Sequence, residues 1–352
     1  MRGGLATALG IAAVVGLGGH GFAWSAGSPP EDTTPTDEET TTMADAERTM
    51  SNPVLDADFP DPFILEVDGE YWAYSTGAAG WYIQVARSAD LVDWEFVDDA
   101  LPSLPDWQSP GFTWAPEVAA TPTGYVMYYT TRDRESGRQC VSVAVSEIPE
   151  GPFIDESGGP LVCQVELGGS IDATYFTDVD GETYLIWKND GNCCGLPTEF
   201  WAQPLSADGL SLTGDVTSLG VVNDQPWEGD VIEAPTVWLA DGTYYLFYSA
   251  NNYASADYAV GYATAPALLG PYTKAPNSPI LVTSEGSSAA GPGHQAIVEG
   301  PGGGLWLAYH AWDKQAIGYE SGGIRTMWLD ELIVDNGTAR VDGPDDGPQM
   351  EP

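Results

Sequence analysis

Gly229-Asp230-Val231-Ile232-Glu233-Ala234-Pro235-Thr236-Val237-Trp238 reads as an apolar, β-branched strand with one carboxylate at its mouth. Asp241-Gly242-Thr243 follows, and then a second run, Tyr244-Tyr245-Leu246-Phe247-Tyr248. Two such runs around an Asp-Gly turn predict a β-hairpin, with Glu233 carried on a rigid element. The unit recurs. Asp61-Pro62-Phe63-Ile64-Leu65 leads through Asp68-Gly69 to Tyr71-Trp72-Ala73-Tyr74, and Ile171-Asp172-Ala173-Thr174-Tyr175-Phe176 leads through Asp180-Gly181 to Tyr184-Leu185-Ile186-Trp187. Weaker copies run from Pro116-Glu117-Val118-Ala119 through Thr123-Gly124, and from Gly293-His294-Gln295-Ala296 through Gly302-Gly303-Gly304.

The first polar residues of the five copies are Asp61, Glu117, Asp172, Glu233 and His294, separated by 56, 55, 61 and 61 residues. A period of about 40–50 residues or slightly more, with short strands and no helical pattern, is the signature of propeller blades. The predicted fold is all-β: a five-bladed β-propeller over residues 52–342, with the active site at one end of the central channel. The first strand of each blade lines that channel, so four acids and a histidine should converge there. Carboxylates crowded together repel and lose hydration, a cost that points to a site rather than to packing.

Upstream of the repeats, Met1-Arg2, an apolar stretch over residues 5–17 and Ala23-Trp24-Ser25 predict a signal peptide over residues 1–26. The competing reading, a membrane anchor, needs about 20 apolar residues. Residues 27–51, with Pro29-Pro30-Glu31-Asp32-Thr33-Thr34-Pro35 and Glu38-Glu39-Thr40-Thr41-Thr42, are too polar to bury a core and predict a disordered acidic tether. Residues 343–352 are expected to be a loose acidic tail. The expected location is extracellular, with no membrane contact after signal cleavage, as a monomer.

Charge narrows the partners. Eleven Lys and Arg stand against 52 Asp and Glu, a formal charge of −41, with lysine only at Lys188, Lys274 and Lys314. Nucleic acid and anionic membranes would repel such a surface, whereas a neutral sugar would not. An acidic surface almost without lysine suits a protein kept soluble in concentrated salt, where self-repulsion is screened. The four cysteines predict disulfides in an exported chain. Cys140 with Cys163 would brace the second blade to the third. Cys193-Cys194 would form a vicinal disulfide or remain two thiols; no histidine lies near enough in sequence to favour a metal site.

Two carboxylates flanking a glycosidic bond suffice for its hydrolysis, one as acid to the leaving oxygen and one as base to water or as nucleophile. Asp61, Asp172 and Glu233 offer three, and a third acid beside the donor would raise its pKa. The segments Asp58-Phe59-Pro60-Asp61-Pro62, Trp114-Ala115-Pro116-Glu117-Val118, Gly169-Ser170-Ile171-Asp172-Ala173, Ile232-Glu233-Ala234-Pro235 and Gly291-Pro292-Gly293-His294 resemble those of glycoside hydrolase family 43. The resemblance implies an inverting enzyme acting on arabinofuranosyl or xylosyl linkages. It further implies Asp61 as general base, Glu233 as general acid and Asp172 as the residue that orients Glu233 and tunes its pKa. Inversion requires a carboxyl separation of about 6.5–9.5 Å.

The resemblance also implies substrate contacts for Trp114, Glu117 and Arg325. Lys188 would stand beside Asp172 or face solvent. His294 would support a calcium or sodium ion in the channel, or be a satisfied buried histidine. Substrate choice is expected to depend on the mouth loops, Ala78-Ala79-Gly80-Trp81-Tyr82 and the segments 188–200 and 251–257. The favoured substrate is an α-L-arabinofuranosyl, arabinan-type polysaccharide, with β-xyloside as the alternative. A propeller that only binds carbohydrate, or only docks proteins, would need none of the three acids.

Overall fold

The computed structural model describes residues 48–352; the expected signal peptide and most of the tether lie outside the described residues. A short strand, β1 (Thr49–Met50), precedes five antiparallel sheets. The first contains β2 (Phe63–Val67), β3 (Glu70–Thr76), β4 (Ile83–Ser88) and β5 (Glu95–Asp99). The second contains β6 (Gln108–Thr121), β7 (Gly124–Asp133) and β8 (Gln139–Ser146). The third contains β9 (Ser170–Thr177), β10 (Thr183–Asn189), β11 (Glu199–Pro204) and β12 (Thr217–Val222). The fourth is β13 (Ile232–Ala240), β14 (Thr243–Ala250), β15 (Ala259–Ala265) and β16 (Thr273–Lys274). The fifth is β17 (Ala289–Glu299), β18 (Leu305–Asp313), β19 (Thr326–Asp335) and β20 (Thr338–Val341). The first strands touch one another in the closed order β2, β6, β9, β13, β17 and back to β2, which makes a five-bladed propeller.

The predicted turns form for a local reason. Asp68-Gly69 and Asp241-Gly242 both take left-handed conformations at both positions, the requirement of a two-residue hairpin whose twist matches its strands. Five apolar clusters then fill the spaces between neighbouring blades. Trp72, Tyr74 and Val85 of the first blade meet Met127, Tyr129 and Phe153 of the second, and Ile186 and Phe200 of the third meet Leu246 and Tyr248 of the fourth. Each fully buried large side chain contributes about 1.5–3 kcal/mol, so these blade-to-blade seams dominate the stability.

Two expectations change. Cys140 bonds Cys163, but both belong to the second blade: Val162 and Ile154 bridge to Val141 and Val145 of β8, standing in for a fourth strand. The acidic tail is not loose. Its strand β21 (Gln349–Met350) pairs with β1, and Gln349 and Asn52 both donate to the buried Asp330. Satisfying that carboxylate ties the two ends of the propeller together.

Candidate active site

One residue per blade, where the first strand enters the channel, takes a left-handed backbone: Asp61, Ala115, Asp172, Ala234 and His294, with φ of 55°, 44°, 54°, 53° and 53°. Non-glycine residues held so cost about 1–3 kcal/mol each and persist only where their surroundings fix them. The N–H of each is fixed by a side chain. Ala115 donates to Thr76 Oγ1 (2.8 Å), Asp172 to Thr130 Oγ1 (3.2 Å), His294 to Ser249 Oγ (2.7 Å) and Asp61 to His310 Nδ1 (3.1 Å). These four acceptors occupy the same place, near the end of the second strand of the preceding blade. The corresponding residue of the third blade is Lys188, opposite Ile171. It caps nothing; Ala234 donates instead to Asp172 Oδ2 (3.0 Å).

This ring corrects the alignment of repeats. Asp61, Asp172 and His294 are equivalent, but Glu233 lies one residue before its blade's left-handed position and Glu117 two residues after. The same register shift straddles that position in four blades, between Trp114 and Glu117, Ile171 and Thr174, Glu233 and Thr236, and Gly293 and Ala296, so the offsets reflect which residue of a shared bulge carries the acid. Glu117 is thereby carried deeper into the channel. Its Oε1 accepts from the Tyr175 N–H and from Thr174 Oγ1, and it lines a small neighbouring cavity that Asp61, Asp172 and His294 also border. Burial pushes its pKa up to about 8 despite those bonds. Glu117 is absent from the lining of the open pocket, and its bonds to Thr174 and Tyr175 link the second blade to the third.

The open pocket, of about 540 Å³, is lined by Asp61, Asp172, Glu233, His294, Trp114 and Arg325, among others. That volume suits a small ligand such as one or two sugar rings. The three acids have unlike surroundings. Asp61 receives Arg325 Nη1 on Oδ1 (2.8 Å) and Thr76 Oγ1 on Oδ2 (2.5 Å). Burial favours its neutral form, but Arg325 first and then His294 hold it well below the usual carboxylate range. Arg325 itself is clasped by the rings of Tyr253 (5.0 Å), Tyr319 (5.6 Å) and Trp312 (5.9 Å). His310 is neutral, its pKa pushed to about 4 by burial and then by Arg325.

Glu233 accepts from Tyr258 Oη on Oε1 (2.7 Å) and from Lys188 Nζ on Oε2 (3.1 Å). Burial raises its pKa, but Lys188 and Tyr258 outweigh it and lower the group. Asp172 shifts the other way, raised by burial and by the charge of Glu233. Lys188 is fully buried behind Glu233 and does not line the pocket; of its two expected placements, solvent is ruled out, and its charge acts on Asp172 as well as on Glu233.

His294 Nδ1 stands 3.3 Å from Asp61 Oδ1. No group of three or more His, Cys, Asp or Glu side chains arranged to hold an ion occurs among the described residues, so a cation at His294 would need water for its other ligands. Sequence reasoning missed Tyr258, His310, Tyr319, Tyr253 and Asp190. For Tyr258 a signal existed: Gly293, beside His294, leaves the space its ring fills, where a Cβ would come within 2.3 Å of it.

Three acids from separate blades around one sugar-sized pocket, on a propeller, are the apparatus of a glycoside hydrolase. The chain belongs to family 43 of the glycosyl hydrolases, whose family model matches residues 50–338. A crystal structure of a thermostable family-43 glycoside hydrolase superposes with a TM-score of 0.79 and 34% identity, covering 86% of this chain and 99% of that one. A β-D-galactofuranosidase from Aspergillus niger is 28% identical over 279 residues, 74% of this chain and 75% of the relative. An arabinan endo-1,5-α-L-arabinosidase from Emericella nidulans is 27% identical over 287 residues, 74% of this chain and 84% of the relative. Against several relatives named for xyloside cleavage, the chain spans about half their length.

Proposed function

We propose that this chain is a secreted enzyme that hydrolyses α-L-arabinofuranosyl linkages of arabinan-type polysaccharides with inversion. Asp61, ionised by Arg325, takes a proton from the attacking water as it adds to the anomeric carbon. Glu233 gives its proton to the departing glycosidic oxygen, and the carbon–oxygen bond breaks. Asp172 fixes Glu233 in place through the Ala234 N–H and repels a negative charge on it. In the free protein Lys188 and Tyr258 favour the Glu233 carboxylate; a sugar filling the pocket removes the remaining water from that group, which favours the neutral acid. Trp114 offers a flat apolar face to the sugar ring.

The observation that carries this reading is three acids from separate blades around one open pocket, in unlike surroundings: Asp61 is held low by Arg325, Glu233 is lowered by Lys188, and Asp172 is raised by burial and by Glu233. Environments that drive acids apart in this way sort a base from an acid. Arabinan is favoured because one arabinan-cleaving relative is matched over 84% of its length. A screen of aryl arabinofuranosides, aryl xylosides and debranched arabinan, with Glu233→Gln as control, tests the reading. Turnover of the arabinosides or arabinan, lost in Glu233→Gln with binding retained, supports it. Turnover of xylosides alone replaces arabinan by xylan, and no turnover of any substrate defeats it.

A further inference from the structure

After β10 the chain makes a single 3-10 turn, Gly191–Cys194, capped by Asp190 in front and by Gly195 behind. Asp190, Asn192 and Cys193 all line the open pocket. Three features distinguish this turn from an ordinary rim loop. The Asp190 side chain is only 7% exposed, yet no hydrogen bond to its carboxylate occurs among the described residues. Its carboxylate is not among the buried orphaned atoms of the described residues; it opens onto the pocket, where the donors of a ligand can reach it. Second, Cys193 and Cys194 form a disulfide, and Arg138, from the β7–β8 connection, reaches its sulfurs. The closed ring of a vicinal disulfide is rigid, and its sulfurs are weak acceptors that present an apolar surface. Third, Asn192 Oδ1 accepts from Lys188 Nζ (2.8 Å), the same ammonium that holds Glu233.

The turn therefore lies on the side of the pocket that carries Glu233, whereas Arg325, Tyr319 and Asp58 gather about Asp61. If Glu233 protonates the departing oxygen, the sugar attached to that oxygen must leave on Glu233's side. We propose that the Asp190–Cys194 turn is the binding site for the leaving-group sugar. There the Asp190 carboxylate accepts hydrogen bonds from the sugar's hydroxyls, and the Cys193–Cys194 ring packs against its C–H face. The ligand is a neutral sugar unit, the next residue of the polysaccharide chain. Burial, opposed by Lys188, moves the Asp190 pKa up to about 6, so it is mainly an acceptor at neutral pH.

This inference rests on the hydrolase reading with Glu233 as acid, and its test separates the two. The ratio of kcat/KM for an arabino-oligosaccharide to that for an aryl arabinofuranoside is measured for the native protein, Asp190→Asn, and Cys193→Ser with Cys194→Ser. Losing one charged acceptor to a bound hydroxyl should lower the ratio about tenfold or more in Asp190→Asn, with a smaller fall in the serine pair. An equal loss on both substrates, or no change on either, overturns the proposal. Asp190→Asn keeps the side-chain shape, so its result stands even if the serine pair fails to fold. Failure of the native protein to cleave any substrate would instead defeat the hydrolase reading.

Discussion

Lys188 Nζ stands 3.1 Å from Glu233 Oε2, and the lysine side chain has no exposed surface. A buried ammonium beside a carboxylate favours the ionised acid, so Lys188 sets how readily Glu233 gains a proton. Lys188→Met removes that pull and raises the Glu233 pKa. The general acid then stays protonated to higher pH, and the alkaline limb of the kcat profile should move up by at least about one pH unit. A pH–rate profile checks this; a limb that stays in place would remove Lys188 from the electrostatics of the acid.

Arg325 acts on the opposite member of the site. It is the principal charge holding Asp61 ionised, so Arg325→Met should raise the Asp61 pKa. A base must be deprotonated to act, so the acidic limb of kcat/KM moves to higher pH. Because Arg325 also lines the pocket, kcat/KM at the optimum should fall about 100-fold. The two effects are read from one set of profiles.

The ring of capped left-handed residues predicts a stability effect. Thr130 Oγ1 is the acceptor for the Asp172 N–H. Thr130→Val keeps the shape and removes the acceptor, leaving a buried N–H unpaired, which should cost about 1–3 kcal/mol. Denaturant unfolding, read as a lower midpoint at unchanged slope, measures it.

Glu117 gives stability a pH dependence. Its folded pKa is raised from 4.5 to about 8, so between those values the folded protein holds a proton that the unfolded chain releases. Stability from this group is complete below the unfolded pKa and declines as pH rises through about 8. Glu117→Gln cannot ionise, so its melting temperature should fall less than that of the native protein between pH 5 and pH 8. Parallel curves would refute the assignment.

A charge of −41 spread over a chain with three lysines predicts salt dependence. Screening relieves the self-repulsion of the compact state, so melting temperature should climb as sodium chloride is raised from dilute buffer into the molar range. A flat response would argue against adaptation to salt.

The blades were legible because each is a local event: Asp68-Gly69 and Asp241-Gly242 dictate their hairpins, and the aromatic runs beside them dictate what is buried. Asp61, Asp172 and Glu233 could be placed at one mouth because each stands near a blade entrance. What escaped was register and reach. Glu117 stands on the far side of its bulge from Trp114, and a repeat spacing does not tell the two sides apart. Tyr258 touches Glu233 across elements whose approach no spacing encodes, and Tyr319 meets Arg325 only because the β18–β19 connection folds back on itself. Asp190 follows Lys188 by two residues, and its solvent-poor position depends on how the turn after β10 folds back.

Five like copies arranged about an axis make a pore with no preferred direction, whereas bond cleavage needs unlike neighbours on its two sides. Lys188 supplies that difference. Where its four counterparts cap a backbone, it turns a positive charge toward the adjacent blade instead. A scaffold built by duplication can thus acquire a reactive orientation through divergence at a single repeated position, with the architecture of the other blades left intact.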